Sequence, residues 1–366
     1  MTDPTCIYLK PTGLLTGTAA ANGCATGTAL RLAGGPVAFS AAELIRRRDG
    51  DGRDASLLGL DGLRFSRLRV EDASAVPAIN SRIHAITEPR APFAGLALDR
   101  PRIMGVINAT PDSFSDGGRY ADPARAIAHG LALLEAGADI LDVGGESTRP
   151  GAAPVPLAAE IDRTIPVVEA LARAGAVVSI DTRHAAVMRA ALAAGARIVN
   201  DITALTGDPE SLAVVAGSAA AVVLMHMQGE PQTMQQEPRY RDAPLDIYDY
   251  LAARLAACAA AGIGPARIAV DPGIGFGKTV RHNVEILADL ALYHGLGAAL
   301  LLGVSRKSFI ARLSRGEDAA NRIAGSLAAA LAGLDRGVQI IRAHDVVETA
   351  QAVTIWRAIA ENAGAA

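Results

Sequence analysis

The sequence predicts an α/β fold in which a (β/α)8 barrel follows a small α+β N-terminal domain. From Arg102 onward, short apolar runs alternate with longer segments of helical periodicity. Each repeating unit spans about thirty residues, the length of a strand with its following helix. Eight such units are present, the number that closes a parallel barrel of the TIM type. A doubly wound open sheet is the alternative, since strand alternation alone does not distinguish the two.

The predicted barrel strands are short apolar runs. They lie at residues 103–107, 139–143, 177–180, 197–199, 221–225, 267–270, 298–302 and 338–341. Several of the helical segments between them are followed by a glycine that would end a helix, as at Gly137 and Gly195. The predicted helices lie at residues 123–135, 157–173, 185–194, 209–216, 243–261, 280–293, 319–334 and 345–363.

The segment before the barrel is predicted to be a separate domain, so that the chain divides into residues 1–98 and 99–366. Strands are expected at 7–9, 37–39 and 65–70, and helices at 41–48 and 78–87. Glycine-rich and charged turns separate these segments. They contain no catalytic constellation, so the sequence assigns no role to this domain.

The composition argues against several classes of function. The chain has 366 residues, of which 50% are hydrophobic, and a net charge of −3. The absence of a basic surplus, of a membrane-length apolar run and of a signal sequence predicts a cytoplasmic protein without nucleic-acid or membrane partners. The three scattered cysteines argue against a disulfide framework and against a zinc cluster.

Polar side chains follow every predicted barrel strand, at the rim where such barrels gather their catalytic groups. After the first strand, residues 108–118 include many side chains with oxygen or amide groups, which are suited to binding hard cations and phosphate. The solvent exposure of loops would explain polar residues after a few of the strands. It would not explain acids, amides and cations at the same position after all eight strands. The candidates are Asn108, residues 144–148, Asp181, Asn200 with Asp201, His226, Asp271, Ser305 with Lys307, and Arg342 with His344.

One group of candidates is suited to an anion. It combines oxygen ligands with cationic donors, a mixture that fits pyrophosphate with magnesium. Its members are Asn108, Thr148, Arg149, Arg342 and His344. For Arg342 alone, a structural salt bridge is the simpler interpretation.

A second group consists of acids with one amide: Asp142, Asp181, Asp271 and Asn200. An acid at a barrel mouth can accept from the N–H groups of a heterocycle and can stabilise positive charge during a reaction. Asp181 could instead cap the helix that follows it.

Three further motifs each have a competing explanation. Residues 271–279, DPGIGFGKT, resemble a phosphate-binding loop, but Pro272 occupies the first required glycine, so we reject an ATPase and interpret Phe276 as an aromatic wall. Residues 305–308 begin a helix or turn that would attract a carboxylate or phosphate. His226 has no partner at metal-ligand spacing, so a structural role is predicted.

Together these motifs resemble the dihydropteroate synthase family of folate biosynthesis. They are INATPDSFSDGG from Ile107, DVGGESTRPG from Asp142, SIDT from Ser179, VNDI from Val199, MHMQG from Met225, DPGIGFGK from Asp271, GVSRKS from Gly303 and RAHDV from Arg342. The resemblance implies a TIM-barrel transferase that joins 6-hydroxymethyl-7,8-dihydropterin diphosphate to 4-aminobenzoate and releases pyrophosphate. It also implies Mg²⁺ dependence, a homodimer and sensitivity to sulfonamides.

The resemblance further implies roles for the matching residues. The catalytic set would be Asp181, Lys307, Arg149 and Asn108, with Asn108 also the metal ligand. The anion site would be completed by Thr148, Arg149, Arg342 and His344. The pterin would be held by Asp181, Asn200, Asp271 and Lys307 in a slot lined by Ile202, Met225 and Gly303. The aminobenzoate site would be shaped by Phe276, Pro150 and Ser308, and loops around Phe114 and Arg149 would close over both substrates.

Two functions other than dihydropteroate synthesis would also use a pterin-binding barrel. A pterin-barrel methyltransferase that binds methyltetrahydrofolate would share the acids and the asparagine, but would need neither the 108–118 loop nor an anion site. A non-catalytic pterin-binding relative would be expected to lack Arg149, Lys307 or Arg342, and all three are present.

Overall fold

The computed structural model of the protein describes residues 7–47, 52–60, 76–109, 123–146 and 155–361. In the described residues, its N-terminal part is a small antiparallel sheet with the two helices α1 and α2 given below. The elements are β1 (Ile7–Leu15), α1 (Gly17–Thr26), β2 (Leu30–Arg31), β3 (Ala38–Arg47), β4 (Arg53–Gly59) and α2 (Val76–Thr87). Strand β3 lies at the centre, because β1, β2 and β4 all pair with it.

The helix predicted at residues 41–48 is wrong, because residues 41–47 continue strand β3, while residue 48 lies outside the described residues. Ala, Glu, Leu and Arg favour helices in isolation, but pairing with β1 on one side and β4 on the other overrides that preference. Helix α1 and strand β4 were not predicted. The strands predicted at 7–9 and 37–39 and the helix at 78–87 correspond to β1, β3 and α2, while 65–70 lies outside the described residues.

The rest of the chain forms a closed barrel of eight parallel strands. The strands are β5 (Arg102–Asn108), β6 (Ile140–Gly144), β7 (Val178–Asp181), β8 (Ile198–Asp201), β9 (Ala221–Met225), β10 (Ile268–Asp271), β11 (Ala299–Gly303) and β12 (Ile340–Ala343). Each strand pairs with the next in sequence, and β12 pairs with β5. This last pairing closes the ring and excludes the open sheet, so the predicted (β/α)8 TIM barrel is confirmed.

Helices surround this barrel. They are α3 (Pro123–Glu135), α4 (Leu157–Arg173), α5 (Ala185–Ala193), α6 (Ser211–Ala216), α7 (Ala243–Ala260), α8 (Val280–Ala288), α9 (Ser308–Leu313), α10 (Ile323–Leu334) and α11 (Val346–Ala360). Helix α8 is shorter than predicted and gives way to a 3-10 segment, Leu290–Leu296. Asp289, between helix α8 and the 3-10 segment, forms ion pairs with Lys10 and Arg53 of the N-terminal sheet. The helix therefore ends at the contact with that sheet. Residues 319–321 are likewise a 3-10 turn before α10.

One continuous hydrophobic core joins the N-terminal sheet to the helices of the barrel. Tyr8 of β1 meets Tyr248 of α7 edge to face, with ring centroids 5.3 Å apart. Tyr248 in turn stacks on Tyr293, 6.4 Å away. A separate cluster that includes Met104 and Val223 is buried on the barrel strands. Among the described helices, none is both long and apolar enough to cross a membrane.

Candidate active site

The carboxyl ends of the barrel strands bring Asp142, Asp181, Asn200 and Arg342 into one hydrogen-bonded cluster. Arg342 donates from Nε to Asp142 Oδ2 at 2.6 Å and from Nη2 to Asp181 Oδ2 at 2.7 Å. Asn200 donates to the same Asp142 oxygen at 3.0 Å. The salt bridge considered for Arg342 therefore exists, but its partners are the candidate site acids themselves. It supplies the counter-charge that a fully buried Asp142 needs.

Asp142 also carries an unused acceptor. Its second oxygen, Oδ1, is buried and has no hydrogen-bond partner among the described residues. A buried acceptor without a partner costs free energy, so native structures rarely keep one without a reason. An N–H group of a bound ligand is the kind of donor that would satisfy it.

Asp181 faces this cluster and does not cap the following helix. Helix α5 begins after His184, and its Ala185 amide donates to Asp208 Oδ2 at 2.9 Å. Burial raises the pKa of Asp181 to about 7, although the neighbouring Arg342 acts in the opposite direction. Its carboxyl group therefore changes charge near neutral pH, as groups at functional sites often do.

Lys307, Asp271 and Gly303 form a second group at the rim. A Cβ atom added at Gly303 would lie 3.8 Å from both Asp271 Oδ2 and Lys307 Nζ, so these two side chains border the glycine. Lys307 donates to the Ile274 carbonyl and lies 4.8 Å from the centre of the Phe276 ring. Burial lowers the pKa of Lys307 to about 8 and raises the pKa of Asp271.

The loop after β10 carries Phe276 and is held by side chains at four consecutive carbonyls. The donor and acceptor pairs are Lys307 to Ile274, Gln235 to Gly275, Lys278 to Phe276, and Tyr240 to Gly277. Gly273 has a φ of +69°, and a Cβ there would lie only 1.9 Å from the His226 carbonyl oxygen. The glycines in this motif thus allow close backbone contact and positive φ, which other residues rarely adopt.

His226 and Lys278 form a buried pair beneath this loop. Lys278 Nζ lies 3.0 Å from His226 Nδ1 and also donates to the His226 carbonyl. Burial and the nearby Lys278 lower the pKa of His226 to about 2, so its ring is neutral. Sequence reasoning did not single out Lys278, Tyr240 or Gln235. Their signal was weak, since only Lys278 belongs to a quoted motif and its partner is 52 residues away.

The other candidates are distributed around the same rim. Asn108 is half-buried at the end of β5, beside Gly144 of β6 in the sheet register. His344 lies with its Nδ1 3.1 Å from Ser305 Oγ. The pair Ile202 and Met225 is buried, whereas Ser308 is exposed at the start of α9. Thr148, Arg149, Pro150 and Phe114 lie outside the described residues.

Comparison with known proteins agrees with this architecture. A family model for pterin binding enzymes matches residues 104–344. A dihydropteroate synthase of Neisseria meningitidis serogroup B is 48% identical over 272 residues, which cover 73% of this chain and 95% of the relative. The Escherichia coli dihydropteroate synthase is 45% identical over 264 residues, covering 72% and 93%.

Solved structures give the same result. The Xanthomonas albilineans dihydropteroate synthase with 4-aminobenzoic acid superposes with a TM-score of 0.69 at 47% identity, covering 74% of this chain and 98% of that one. The Burkholderia cenocepacia enzyme complexed with 7,8-dihydropteroate has a TM-score of 0.67 at 42% identity, covering 74% and 96%. The chain therefore belongs to the dihydropteroate synthase family, transferases of folate biosynthesis that join 6-hydroxymethyl-7,8-dihydropterin diphosphate to 4-aminobenzoate.

Proposed function

We propose that the rim of the barrel carries out this condensation with the residues described above in defined roles. The observation that carries the assignment is the cluster in which Arg342 bridges Asp142 and Asp181, while one buried Asp142 oxygen has no partner in the part of the chain that the structure describes. Asp142, Asp181, Asn200, Asp271 and Lys307 hold the pterin, whose ring N–H and amino groups donate to the acids. Ile202, Met225 and Gly303 line its slot.

The reaction needs electrostatic stabilisation more than proton transfer. Pyrophosphate leaves from a CH₂ group attached to an electron-rich dihydropterin, so positive charge spreads into the ring as the C–O bond breaks. The Asp181 carboxylate stabilises that charge, while the cationic groups Arg149, Arg342 and His344, with the Thr148 hydroxyl, stabilise the leaving anion. The amine of 4-aminobenzoate, placed beside Phe276, Pro150 and Ser308, then attacks the CH₂ carbon, and the resulting N–H proton passes to water. An aniline nitrogen is nucleophilic enough for this step without a strong general base.

The donor set fits a magnesium ion that arrives with the substrate. Asn108 offers an amide oxygen, and Mg²⁺ often takes only one or two protein ligands beside substrate phosphates. Among the described residues, no group of three or more histidines, cysteines and acids could hold a metal ion by itself. When bound, the ion would neutralise diphosphate charge, with Asn108 holding it at the end of β5.

The direct test of the proposed function is turnover of the intact chain. Incubation with the pterin diphosphate and 4-aminobenzoate should yield 7,8-dihydropteroate and pyrophosphate, and chelation of magnesium should suppress the product. Product without added magnesium and in the presence of a chelator would refute the metal requirement. Methyl transfer from methyltetrahydrofolate without any condensation would favour the rival barrel function.

Asn108→Ala should separate diphosphate binding from pterin binding. If Asn108 holds the metal with the diphosphate, the variant should bind the pterin diphosphate about tenfold more weakly in magnesium, the effect of losing roughly one strong polar contact. Binding of the corresponding pterin alcohol should be unchanged. Calorimetric titration of both ligands measures the difference. Equal weakening of the two would contradict the assignment.

The pH dependence of kcat/KM should reflect the ionisation of Asp181 and Lys307. The Asp181 carboxyl must be ionised to hold the pterin, and its pKa is about 7, so kcat/KM for the pterin diphosphate should fall below that pH. Lys307 must be protonated, and its pKa is about 8, so kcat/KM should also fall above that pH. Lys307→Arg should shift the alkaline limb to higher pH because arginine keeps its charge. An unmoved alkaline limb would assign that limb to another group.

Membership of the family also leads us to expect a homodimer, sensitivity to sulfonamides and a cytoplasmic location. Val347, Ile355 and Ile359 are 64%, 58% and 67% exposed on one face of α11, which supports burial of this face in a homodimer. A Yersinia pestis relative has been solved as a complex with a sulfonamide drug. Sulfonamides would accordingly compete with 4-aminobenzoate here, and the enzyme would act in the cytoplasm.

A further inference from the structure

The aromatic wall Phe276 is held from outside its own loop. Gln235 donates to the Gly275 carbonyl at 2.6 Å and Tyr240 to the Gly277 carbonyl at 2.8 Å, so the backbone is fixed on both sides of Phe276. Gln235 and Tyr240 both come from the long segment between β9 and α7. We call residues 228–242 of that segment the bracing loop.

The bracing loop is fixed at its base and at its end. Gln228 makes two hydrogen bonds to the Arg239 backbone, at 2.8 and 2.9 Å, which close the loop on itself. At the end, the backbone amides of Arg241 and Asp242 donate to Asp246 Oδ2 at 2.9 and 3.3 Å. The position of Asp246 therefore fixes the chain immediately after Tyr240.

The other oxygen of Asp246 is bound by the N-terminal domain. Arg47, the last residue of β3, donates to Asp246 Oδ1 at 2.6 Å and to Asp249 Oδ2 at 2.8 Å. The Arg47 side chain is only 14% exposed, and Tyr8 Oη accepts from its Nε. A planar guanidinium bound to two acids of α7 orients Asp246 more strongly than a single exposed ion pair would.

We propose that the N-terminal domain positions the aromatic wall, and that Arg47 is the main positioning residue through which it acts, beside a longer ion pair of 3.7 Å between Arg53 and Asp242. The link runs from Arg47 to Asp246, to the end of the bracing loop, and through Tyr240 to the Gly277 carbonyl. The inference rests on the proposed place of Phe276 beside 4-aminobenzoate. It gives the residues before the barrel a function at the second substrate, with no contact to the reacting atoms.

Steady-state kinetics of the full-length chain test this link. Arg47→Met should raise the KM for 4-aminobenzoate about 3- to 10-fold, the range expected from one net hydrogen bond. The KM for the pterin diphosphate and kcat should stay within about twofold. Asp246→Asn, which breaks the same link from the barrel side, should show the same selective change. Tyr240→Phe should also show it, because the hydroxyl that holds Gly277 is lost.

Lys10→Met is the matched control. Lys10 also pairs the N-terminal sheet with the barrel, at Asp289, and its side chain is 15% exposed. It does not contact the bracing loop among the hydrogen bonds and ion pairs of the described residues. Its loss should lower the melting temperature about as much as Arg47→Met does, with both KM values unchanged.

The outcomes separate this inference from the proposed function. A raised KM for 4-aminobenzoate in Phe276→Ala, with unchanged KM in both Arg47→Met and Asp246→Asn, would overturn the positioning role alone. Equal changes in Arg47→Met and Lys10→Met would do the same, since they would reflect general loosening. Phe276→Ala with an unchanged KM would overturn the placement of the wall itself, and this inference with it.

Discussion

Asp181→Asn is expected to fold normally and to lose turnover by a factor on the order of 10² or more, the scale of one preorganised electrostatic group. Asparagine keeps the shape of the side chain but removes the negative charge that we assign to the developing cation. Arg342 would still be paired with Asp142, at 2.6 Å, so the cluster keeps a counter-charge. Because the folded-state pKa of Asp181 is raised to about 7, its ionised form does not favour folding.

Steady-state turnover beside a thermal melt decides the outcome for Asp181. The melting temperature at pH 8 should not fall, since the variant removes a buried charge whose ionisation opposes folding. Asp201→Asn serves as a control at the end of the neighbouring strand, where Asp201 accepts from the Thr203 and Leu205 amides. That control should lose stability more than turnover. Near-normal turnover of Asp181→Asn would remove Asp181 from the catalytic list.

Arg342→Met should be the most damaging single change in the site. It leaves two neighbouring carboxylates, the fully buried Asp142 and the half-buried Asp181, without their shared cation. Breaking a buried pair in this way costs on the order of 3 kcal/mol of stability. Turnover should fall as well, since the same guanidinium is assigned to the leaving anion.

The stability loss of Arg342→Met should depend on pH in a defined direction. Burial already raises the folded-state pKa of Asp181 to about 7, and Arg342 opposes that rise. Without the cation the pKa of Asp181 rises further, so folding favours its protonated form more strongly than in the wild type. The free energy of unfolding of the variant should therefore be closest to that of the wild type near pH 5. The difference between the two should grow as the pH rises toward 8. Urea denaturation at both pH values measures this.

Arg102→Met is the comparison for the loss of a buried barrel arginine. Arg102 pairs with Asp139 at 3.1 Å, but Asp139 keeps Arg100 as a second partner. This variant should retain its turnover. A stability loss in Arg342→Met that matched it and did not vary with pH would contradict the two-carboxylate explanation.

The sequence predicted the barrel well because its signals are local. Each strand is a short apolar run, and the number of units favours closure, although only the pairing of β12 with β5 excludes the open sheet. The helix predicted at 41–48 failed for the opposite reason, since the strand form of residues 41–47 depends on partners in β1 and β4 that composition does not reveal. Helix α8 was predicted too long because its end at Ala288 coincides with the contact between Asp289 and the N-terminal sheet, which the local sequence does not reveal.

The candidate site follows the same division. Residues at strand ends could be predicted to converge, and Asp181, Asn200 and Arg342 do lie in one hydrogen-bonded cluster. The hydrogen bonds that hold the Phe276 loop could not be predicted. Gln235 and Tyr240 come from a segment without periodicity, and they reach Gly275 and Gly277 only in the folded chain. The roles of these residues in binding and catalysis stay predictions.

One continuous hydrophobic core spans the N-terminal sheet and the helices of the barrel, so we expect the two parts to unfold together. Tyr8, Tyr248 and Tyr293 are all fully buried, and the edge-to-face contact of Tyr8 covers a helix of the barrel. Removing the residues before the barrel would uncover this aromatic surface and leave Asp289 and Asp249 without their cations. Because this contact stabilises both parts, we expect the sheet and the barrel to melt in one transition, which coincident melting curves from two different probes would show.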